Sequence, residues 1–156
     1  MILVEERKPV AILSLDYLYY IDDSGKIFKL LEGNDRLDLP VITGLKPEDL
    51  QQDPEPAKQK LRETVGLLQA LQFRQNLKLE DISEVHVDQQ RGYSLITCRG
   101  GVPIKLGFQN FSSKLDRLEK VFKGLKSRLL ALAYIDLNVD DRVIVRVQNG
   151  LNVEKG

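Results

Sequence analysis

The side chains that most often carry enzyme chemistry are scarce in this chain of 156 residues. His86 is its only histidine and Cys98 its only cysteine. Counting therefore excludes a metal site built from several histidines and cysteines, and it also excludes an internal disulfide. A Ser-His-Asp site would have to rely on His86, with no second histidine in reserve.

The surroundings of these two residues favour structural roles. His86 alternates with Val85 and Val87 in "EVHVD", which predicts a strand that exposes the imidazole. A general base would also need an orienting partner nearby. Cys98 alternates with Ile96 and is expected to pack as a small apolar side chain. Neither residue predicts a catalytic site, so we expect no enzymatic activity.

Other motifs that bind ligands are weak in this sequence. The glycines of "CRGG" and "TGLKPED" match neither a phosphate-binding loop nor a dinucleotide-binding motif, so no cofactor is predicted. The acidic residues at 22–23 and 140–141 fall in predicted turns, where aspartate forms local hydrogen bonds. Four cations are dispersed among acids and indicate a solvated surface rather than a nucleic-acid interface: Arg91, Arg99, Lys105 and Arg117.

The overall composition indicates one folded domain. The 23 Lys and Arg residues balance 23 Asp and Glu residues, so no net charge attracts nucleic acid or an anionic membrane, and a partner must be recognised locally. The opening "MILVEERKPVAIL" has too few apolar residues for a signal peptide or a membrane span. Because it begins in a strand-like run, we interpret the chain as a piece of a longer protein.

Hydrophobic periodicity divides the chain into strands and two helices. The predicted order is a β-meander at residues 9–31, an irregular crossing at 37–56, a helix at 55–75, three strands within 81–107, a second helix and a final strand pair. This order predicts an α+β fold, with a mixed or antiparallel sheet and both helices packed on one face.

The second helix has the clearest pattern. Asn110 and Ser112 are its candidate N-caps. Apolar residues recur every three or four positions and form one stripe: Leu115, Leu118, Phe122, Leu125, Leu129 and Leu132. The stripe covers less than three heptads, so it favours a helix packed on the sheet over a coiled coil.

The last two predicted strands, "YIDLNV" and "RVIVRV", should form a hairpin with one apolar face. A three-residue loop at residues 140–142 pairs Val139 with Val143 and Leu137 with Val145, which keeps the apolar side chains together and allows a bulge. The closing strand is expected at a sheet edge. An open edge is a template for the backbone of another chain.

Three segments, in this order, resemble the FtsQ/DivIB family of cell-division proteins. "VEERKPVAIL…YYIDDSGKIF…LPVITG" is similar to the family's entry into its β domain, "GYSLITCRGGVPIKLG…KLDRL" to its strand-turn-strand before a helix, and "YIDLNVDDRVIVR" to its closing hairpin. Together the segments span residues 4–147. The resemblance implies an FtsQ-type β domain at residues 9–148, the end of a POTRA domain or its linker at 1–8, and a tail at 149–156.

The resemblance also implies a function. The family's members are non-enzymatic divisome scaffolds that bind FtsB- and FtsL-type proteins and help control septal peptidoglycan synthesis. The parent protein is expected to cross the inner membrane once, with this domain on the periplasmic side. The alternative is an extracytoplasmic enzyme or ligand-binding domain on a related fold, which a deep pocket converging acidic residues or His86 would favour.

The family uses its closing strand as the FtsB site, and its partner-facing positions carry over to this chain. The implied partner-binding residues are Val139, Asp141, Arg142, Ile144, Arg146, Val147 and, before the middle hairpin, Arg91. Asn138 replaces the arginine of the family's "D-L-R", and Val139 and Val147 stand where relatives carry aromatics. Fewer aromatic anchors predict a weaker contact. Core packing is an equal alternative for the two valines.

Overall fold

The computed structural model describes residues 7–33, 35, 38–139 and 141–148, among which nine strands form one sheet. The strands are β1 (Ala11–Ser14), β2 (Leu18–Ile21), β3 (Ile27–Leu30), β4 (Val41–Thr43), β5 (Ile82–Asp88), β6 (Gly92–Thr97), β7 (Pro103–Gly107), β8 (Leu132–Asp136) and β9 (Ile144–Val147). The helices are α1 (Pro47–Gln51), α2 (Pro54–Leu71) and α3 (Phe111–Lys126), with single 3-10 turns at Leu79–Asp81 and Leu129–Ala131.

The sheet is mixed, which confirms the predicted α+β class. Its strand order is β3-β2-β1-β4-β5-β6-β7-β8-β9. Three neighbouring pairs are parallel, namely β1 with β4, β4 with β5 and β7 with β8, and the other pairs are antiparallel. Parallel neighbours need a crossover connection. Helix α2 lies in the crossover from β4 to β5, and α3 in the crossover from β7 to β8.

Both longer helices pack on the same face of the sheet, as predicted. Strands β4, β5, β7 and β8 run in one direction, so two right-handed crossovers place their helices on one side. Tyr93 of β6 contacts both helices, because its hydroxyl lies 3.5 Å from the Lys60 carbonyl and its ring meets the edge of Phe111 at 5.4 Å. The helices bury Leu61, Val65, Leu68 and Leu71 from α2, and Leu115, Leu118, Phe122 and Leu125 from α3.

None of the described helices is both long enough and apolar enough to cross a membrane.

The opposite face of the sheet carries polar and apolar side chains together and, within the described ranges, no helix. Residues that pair directly share a face, which places His86 with Ser94, and Ser94 with Lys105, on this side. Val85 and Leu95, one position away, are fully buried on the helix side. His86 therefore lies opposite its valine neighbours, as its alternation predicts. We refer to this side as the open face.

The segment predicted as an irregular crossing contains two ordered elements, so that prediction was wrong in part. Residues 41–43 form β4, which hydrogen-bonds in parallel between β1 and β5. Residues 47–51 form α1, with Pro47 in its first turn. A three-residue strand carries too little alternation to be recognised, and its hydrogen-bond partners come from distant parts of the chain.

The end of the second predicted helix and the environment of Cys98 also differ from expectation. The helix stops at Lys126, so Leu129 lies in a 3-10 turn and Leu132 begins β8, although both are buried. Asn110 is the N-cap, with a left-handed φ of 59° and no capping hydrogen bond from its side chain. Cys98 follows the end of β6 and is exposed, because it alternates with the buried Thr97 and so lies, like Ile96, on the side of the sheet away from the helices.

The final hairpin forms, but its predicted register was wrong. Ile135 pairs with Val145 and Asp136 with Ile144, so β8 and β9 are joined by residues 137–143 rather than by a three-residue turn. The register differs from the predicted one by two residues, which leaves the same side chains on the apolar face. The bulge lies at the other end of the pair, between Leu132 and Tyr134.

Candidate functional site

Strand β9 is the last strand of the sheet, at the edge beyond β8. Its side chains Val145 and Val147 pack against the core but are only partly buried. Ile135, opposite Val145 in β8, is fully buried. Within the described residues, β9 hydrogen-bonds to β8 alone. One side of its backbone and part of its apolar surface are therefore open to a further strand.

The alternate side chains of β9 lie on the open face. Ile144 pairs with Asp136, and Arg146 pairs with Tyr134. Lys105 of β7 extends over the Tyr134 ring, with its Nζ 4.0 Å from the ring centroid. This end of the open face therefore carries charged groups of both signs around one aromatic ring.

The loop before β9 presents most of the other predicted partner-facing residues. Val139 is 44% exposed, and Asp141 and Arg142 are exposed as well. Asp141 has a left-handed φ of 50°, a conformation that aspartate tolerates. The backbone N–H of Arg142 donates to the Val139 carbonyl at 3.0 Å, which closes the loop into a turn. Asp140 lies outside the described residues.

The side chain of Arg117, in α3, donates hydrogen bonds to the backbone of this loop. Its Nη1 donates to the carbonyl oxygens of Val139 at 3.3 Å and Arg142 at 2.8 Å. Its Nη2 donates to the carbonyl oxygen of Leu137 at 3.2 Å. The predicted solvated role of Arg117 was therefore wrong, because the guanidinium is half-buried and bonded to the loop.

Lys114, one helical turn earlier, holds the start of the same loop. Its Nζ donates to the Leu106 carbonyl at 2.6 Å and to Asn138 Oδ1 at 2.9 Å, and the residue is only 9% exposed. Burial and the nearby Arg117 charge lower the pKa of Lys114, against an opposing effect of Asp136. Asn138, which replaces the family's arginine, thus accepts a hydrogen bond from a buried lysine.

Two glycines allow the strand ends to approach this loop. A Cβ on Gly107, where φ is +72°, would lie 2.4 Å from Asn138 Oδ1. A Cβ on Gly92 would lie 2.3 Å from the Gly107 carbonyl oxygen. Any larger residue at either position would displace backbone or the Asn138 side chain. The close approach of neighbouring atoms therefore explains why glycine occupies the first position of "GYSLIT" and the last position of "IKLG".

Arg91 lies in the β5–β6 turn, close to the same corner of the molecule. Its backbone N–H donates to Asp88 Oδ1 at 2.9 Å. Arg91, Val139 and Asp141 line one groove of about 740 Å³, together with the N-terminal end of α3. The structure thus brings three predicted residues together at the loop. Ile144 and Arg146 lie apart on the open face, and Val147 lies on the core side.

Sequence reasoning missed Lys114 and Arg117, the two residues that fix the loop. Their spacing of three places them on one side of α3, next to the apolar stripe. This spacing was the one feature of the sequence that could have indicated a shared role for the two side chains. It does not distinguish two solvated cations from two that bond to a loop distant in sequence.

The open face also carries the only histidine, in an arrangement unsuited to a Ser-His-Asp type of mechanism. The Thr43 hydroxyl donates to Glu84 Oε2 at 2.6 Å and lies 2.8 Å from His86 Nδ1. Because the hydroxyl directs its one proton to the carboxylate, the imidazole is not placed to accept that proton. Among the described residues, no group of three or more His, Cys, Asp or Glu side chains is placed to hold a metal ion.

Comparisons with known proteins agree with the sequence motifs. Residues 11–138 match the family model described as "Cell division protein FtsQ/DivIB, C-terminal". The chain is 44% identical over 143 residues to a protein of Geotalea daltonii named "Cell division protein FtsQ", covering 92% of this chain and 52% of that protein.

Two further relatives carry the same name. The Syntrophotalea carbinolica protein is 44% identical over 150 residues, which cover 96% of this chain and 53% of the relative. The Myxococcus fulvus protein is 36% identical over 135 residues, which cover 86% and 47%. The chain spans about half the length of the curated relatives it matches.

Proposed function

The chain belongs to the FtsQ/DivIB family of cell division proteins, and from this membership we propose that it acts as a non-enzymatic divisome scaffold. In this proposal it binds FtsB- and FtsL-type proteins and so helps to control septal peptidoglycan synthesis. Its relatives are named as cell division proteins, not as enzymes.

The observation that carries the proposal is the position of β9 at the edge of the sheet. A segment of the partner adds to β9 as a further strand, so backbone hydrogen bonds supply affinity and side chains supply selectivity. The half-buried Val145 and Val147 gain apolar contact when the strand is added. The edge strand thus offers a partner both unpaired backbone groups and apolar side chains that are only partly buried.

Selectivity arises from the residues around this edge. Ile144 and Arg146 flank the added strand on the open face, and Val139, Asp141 and Arg91 contact the partner at the adjoining groove. Arg142 extends the same loop. None of these side chains is aromatic, so we expect an affinity set more by backbone pairing than by large anchors.

The architecture and location of the parent protein are further parts of the proposal. Residues 9–148 form the β domain, with the end of a POTRA domain or linker at residues 1–8 and a tail at residues 149–156. Residues 1–6 and 149–156 lie outside the residues that the structure describes. The parent protein crosses the inner membrane once and places this domain in the periplasm. The family membership supports these assignments.

Two proline variants test strand addition at β9. In an antiparallel pair, successive residues of the edge strand direct their N–H groups alternately toward the neighbour and away from it. Of Ile144→Pro and Val145→Pro, one therefore removes a donor to β8 and the other a donor offered to the partner. The variant that keeps the urea midpoint of the unchanged chain should lose about 100-fold in affinity for the FtsB-type periplasmic segment.

The matched control is Leu30→Pro in β3, the strand at the opposite edge of the sheet. The Leu31 N–H donates to the Leu18 carbonyl of β2, so the N–H of Leu30 points away from β2. The variant introduces the same ring into an edge strand that the proposal does not use, and affinity should stay within about twofold of the unchanged chain. Calorimetric titration of the folded variants provides the affinities. Full binding by both folded β9 variants would refute strand addition.

A further inference from the structure

Helix α3 and the loop that leads into β9 are joined by an unusual set of side-chain bonds. Arg117 donates to three loop carbonyls, those of Leu137, Val139 and Arg142. Lys114 donates to Asn138 Oδ1. We call Lys114 and Arg117, with these bonds, the α3 brace. The brace reaches both ends of the loop that positions the edge strand.

Within its described residues, 137–139 and 141–143, the loop has two backbone–backbone hydrogen bonds, from Leu137 N–H to the Lys105 carbonyl at 3.1 Å and from Arg142 N–H to the Val139 carbonyl at 3.0 Å. The Asn138 N–H donates to a side chain instead, Asp136 Oδ1 at 2.9 Å. Asp141 adopts a left-handed backbone conformation, which does not occur in a regular strand. Side-chain donors from α3 add four hydrogen bonds to these, and so provide much of what fixes residues 137–139 and 142.

A loop that is ordered before binding does not have to be ordered during binding. Fixing backbone costs conformational entropy, and preorganisation removes that cost from the association step. We propose that the α3 brace preorganises the β9 edge and thereby sets its affinity for the partner strand. This inference rests on the proposed function, and it names α3 as the helix on which partner binding depends.

Arginine is suited to this role in a way that lysine is not. The planar guanidinium offers several N–H donors in a fixed arrangement, and here two nitrogens serve three carbonyl oxygens. A lysine at this position has one nitrogen on a flexible stem. Arg117→Lys should therefore keep the positive charge but lose most of the bracing, while Arg117→Met loses both.

The test uses two measurements on the same variants. Amide hydrogen exchange of residues 137–148 without partner should increase in Arg117→Met and, to a smaller extent, in Arg117→Lys. Affinity for the FtsB-type segment should fall about 10-fold in Arg117→Met, as expected for the loss of several net hydrogen bonds. The exposed Lys120, on the same helix, provides the control variant Lys120→Met, which should change neither quantity.

A second control separates bracing from a general loss of stability. Ile21→Val removes one methylene from a fully buried site in β2, far from β9 in the strand order. It should lower the urea midpoint about as much as Arg117→Lys and leave partner affinity unchanged. If Ile21→Val weakened binding equally, the effect of Arg117 would be one of stability, and the inference would be overturned.

The two proposals fail in different ways. If the unchanged chain does not bind the segment, the proposed function falls together with the affinity claim, while exchange still decides whether Arg117 orders the loop. If the unchanged chain binds and Arg117→Met exchanges faster at undiminished affinity, the inference fails and the proposed function stands. Unaltered exchange in Arg117→Met also overturns the inference.

Discussion

The sheet ends in one strand at each edge, β9 and β3, and the two edge strands are stabilised by different contacts. At one edge, β9 packs valines onto the core and follows a loop bonded to α3. At the other edge, β3 exposes Ile27 by 38% and Leu30 by 48%, and it is held mainly through its hairpin with β2. An isolated hairpin is only marginally stable in water. We therefore expect the β9 edge to be the more rigid of the two.

The loops that lead into the two edge strands are stabilised by side chains of opposite charge, a carboxylate before β3 and a guanidinium before β9. The Asp22 carboxylate accepts hydrogen bonds from Ser24 N–H, Ser24 Oγ and Lys26 N–H in the β2–β3 turn, at 2.9, 2.7 and 3.0 Å. The Arg117 guanidinium donates to carbonyl oxygens behind β9. Carbonyl oxygens do not titrate, whereas the carboxylate does. The two edges should therefore respond differently to acid.

Shortening one apolar side chain near each edge should give the largest difference between the two edges, measured as the loss in free energy of unfolding. Ile135→Ala removes a fully buried side chain of β8, paired with Val145 of β9, and should lower the free energy of unfolding by about 2–5 kcal/mol. Leu30→Ala, at the half-exposed β3 position, should cost about 0.5 kcal/mol or less. Urea denaturation followed by circular dichroism gives both values. Equal costs would mean that the β3 edge is packed as firmly as the β9 edge.

Acid should weaken the β3 edge through Asp22, with a smaller effect. Burial raises the pKa of Asp22, but hydrogen bonds from Lys26 and Ser24 and the charge of Arg7 outweigh burial and hold it below its usual value of 3.8. A lowered folded-state pKa stabilises the fold above the unfolded-state pKa, and this contribution is lost as the pH falls through the folded-state value. Asp22→Asn should thus cost about 1–2 kcal/mol at pH 7 and progressively less below pH 3.8.

The exposed neighbour Asp23 provides the matched variant for this measurement. Asp23→Asn should leave the free energy of unfolding nearly unchanged at both ends of the pH range. A constant gap between Asp22→Asn and the unchanged chain from pH 7 to acid would show that the carboxylate charge is not what stabilises the turn.

The sequence was sufficient to predict the elements whose apolar pattern is long. The meander, α2 and the three strands of the middle hairpins were confirmed. In α2, β5 and β6 the pattern reflects regularly spaced burial on one face, whereas the meander was recognised from its β-forming residues and the turn at residues 22–25. Strand β4 escaped prediction because its three residues are fixed by β1 and β5 on either side. Leu129 and Leu132 continued the helical spacing by coincidence, since the chain leaves the helix after Lys126.

The candidate site was predictable in position but not in detail. Alternation decides which face a side chain occupies, and it placed Val145 on the apolar face correctly. It does not distinguish registers that differ by two residues, so pairing with Ile135 rather than Leu137 could not be foreseen. The longer loop is stabilised by Arg117, and a contact between residues so far apart in sequence leaves no local pattern.

The most direct test of the account is amide hydrogen exchange of this chain with and without the periplasmic segment of an FtsB-type protein. Strand addition predicts that alternate amides of residues 144–147, unprotected in the chain alone, become protected on binding, while those of residues 27–30 do not change. Protection that appears at residues 27–30 instead, or binding that leaves residues 144–147 unchanged, would contradict the assignment of β9 as the partner-binding edge.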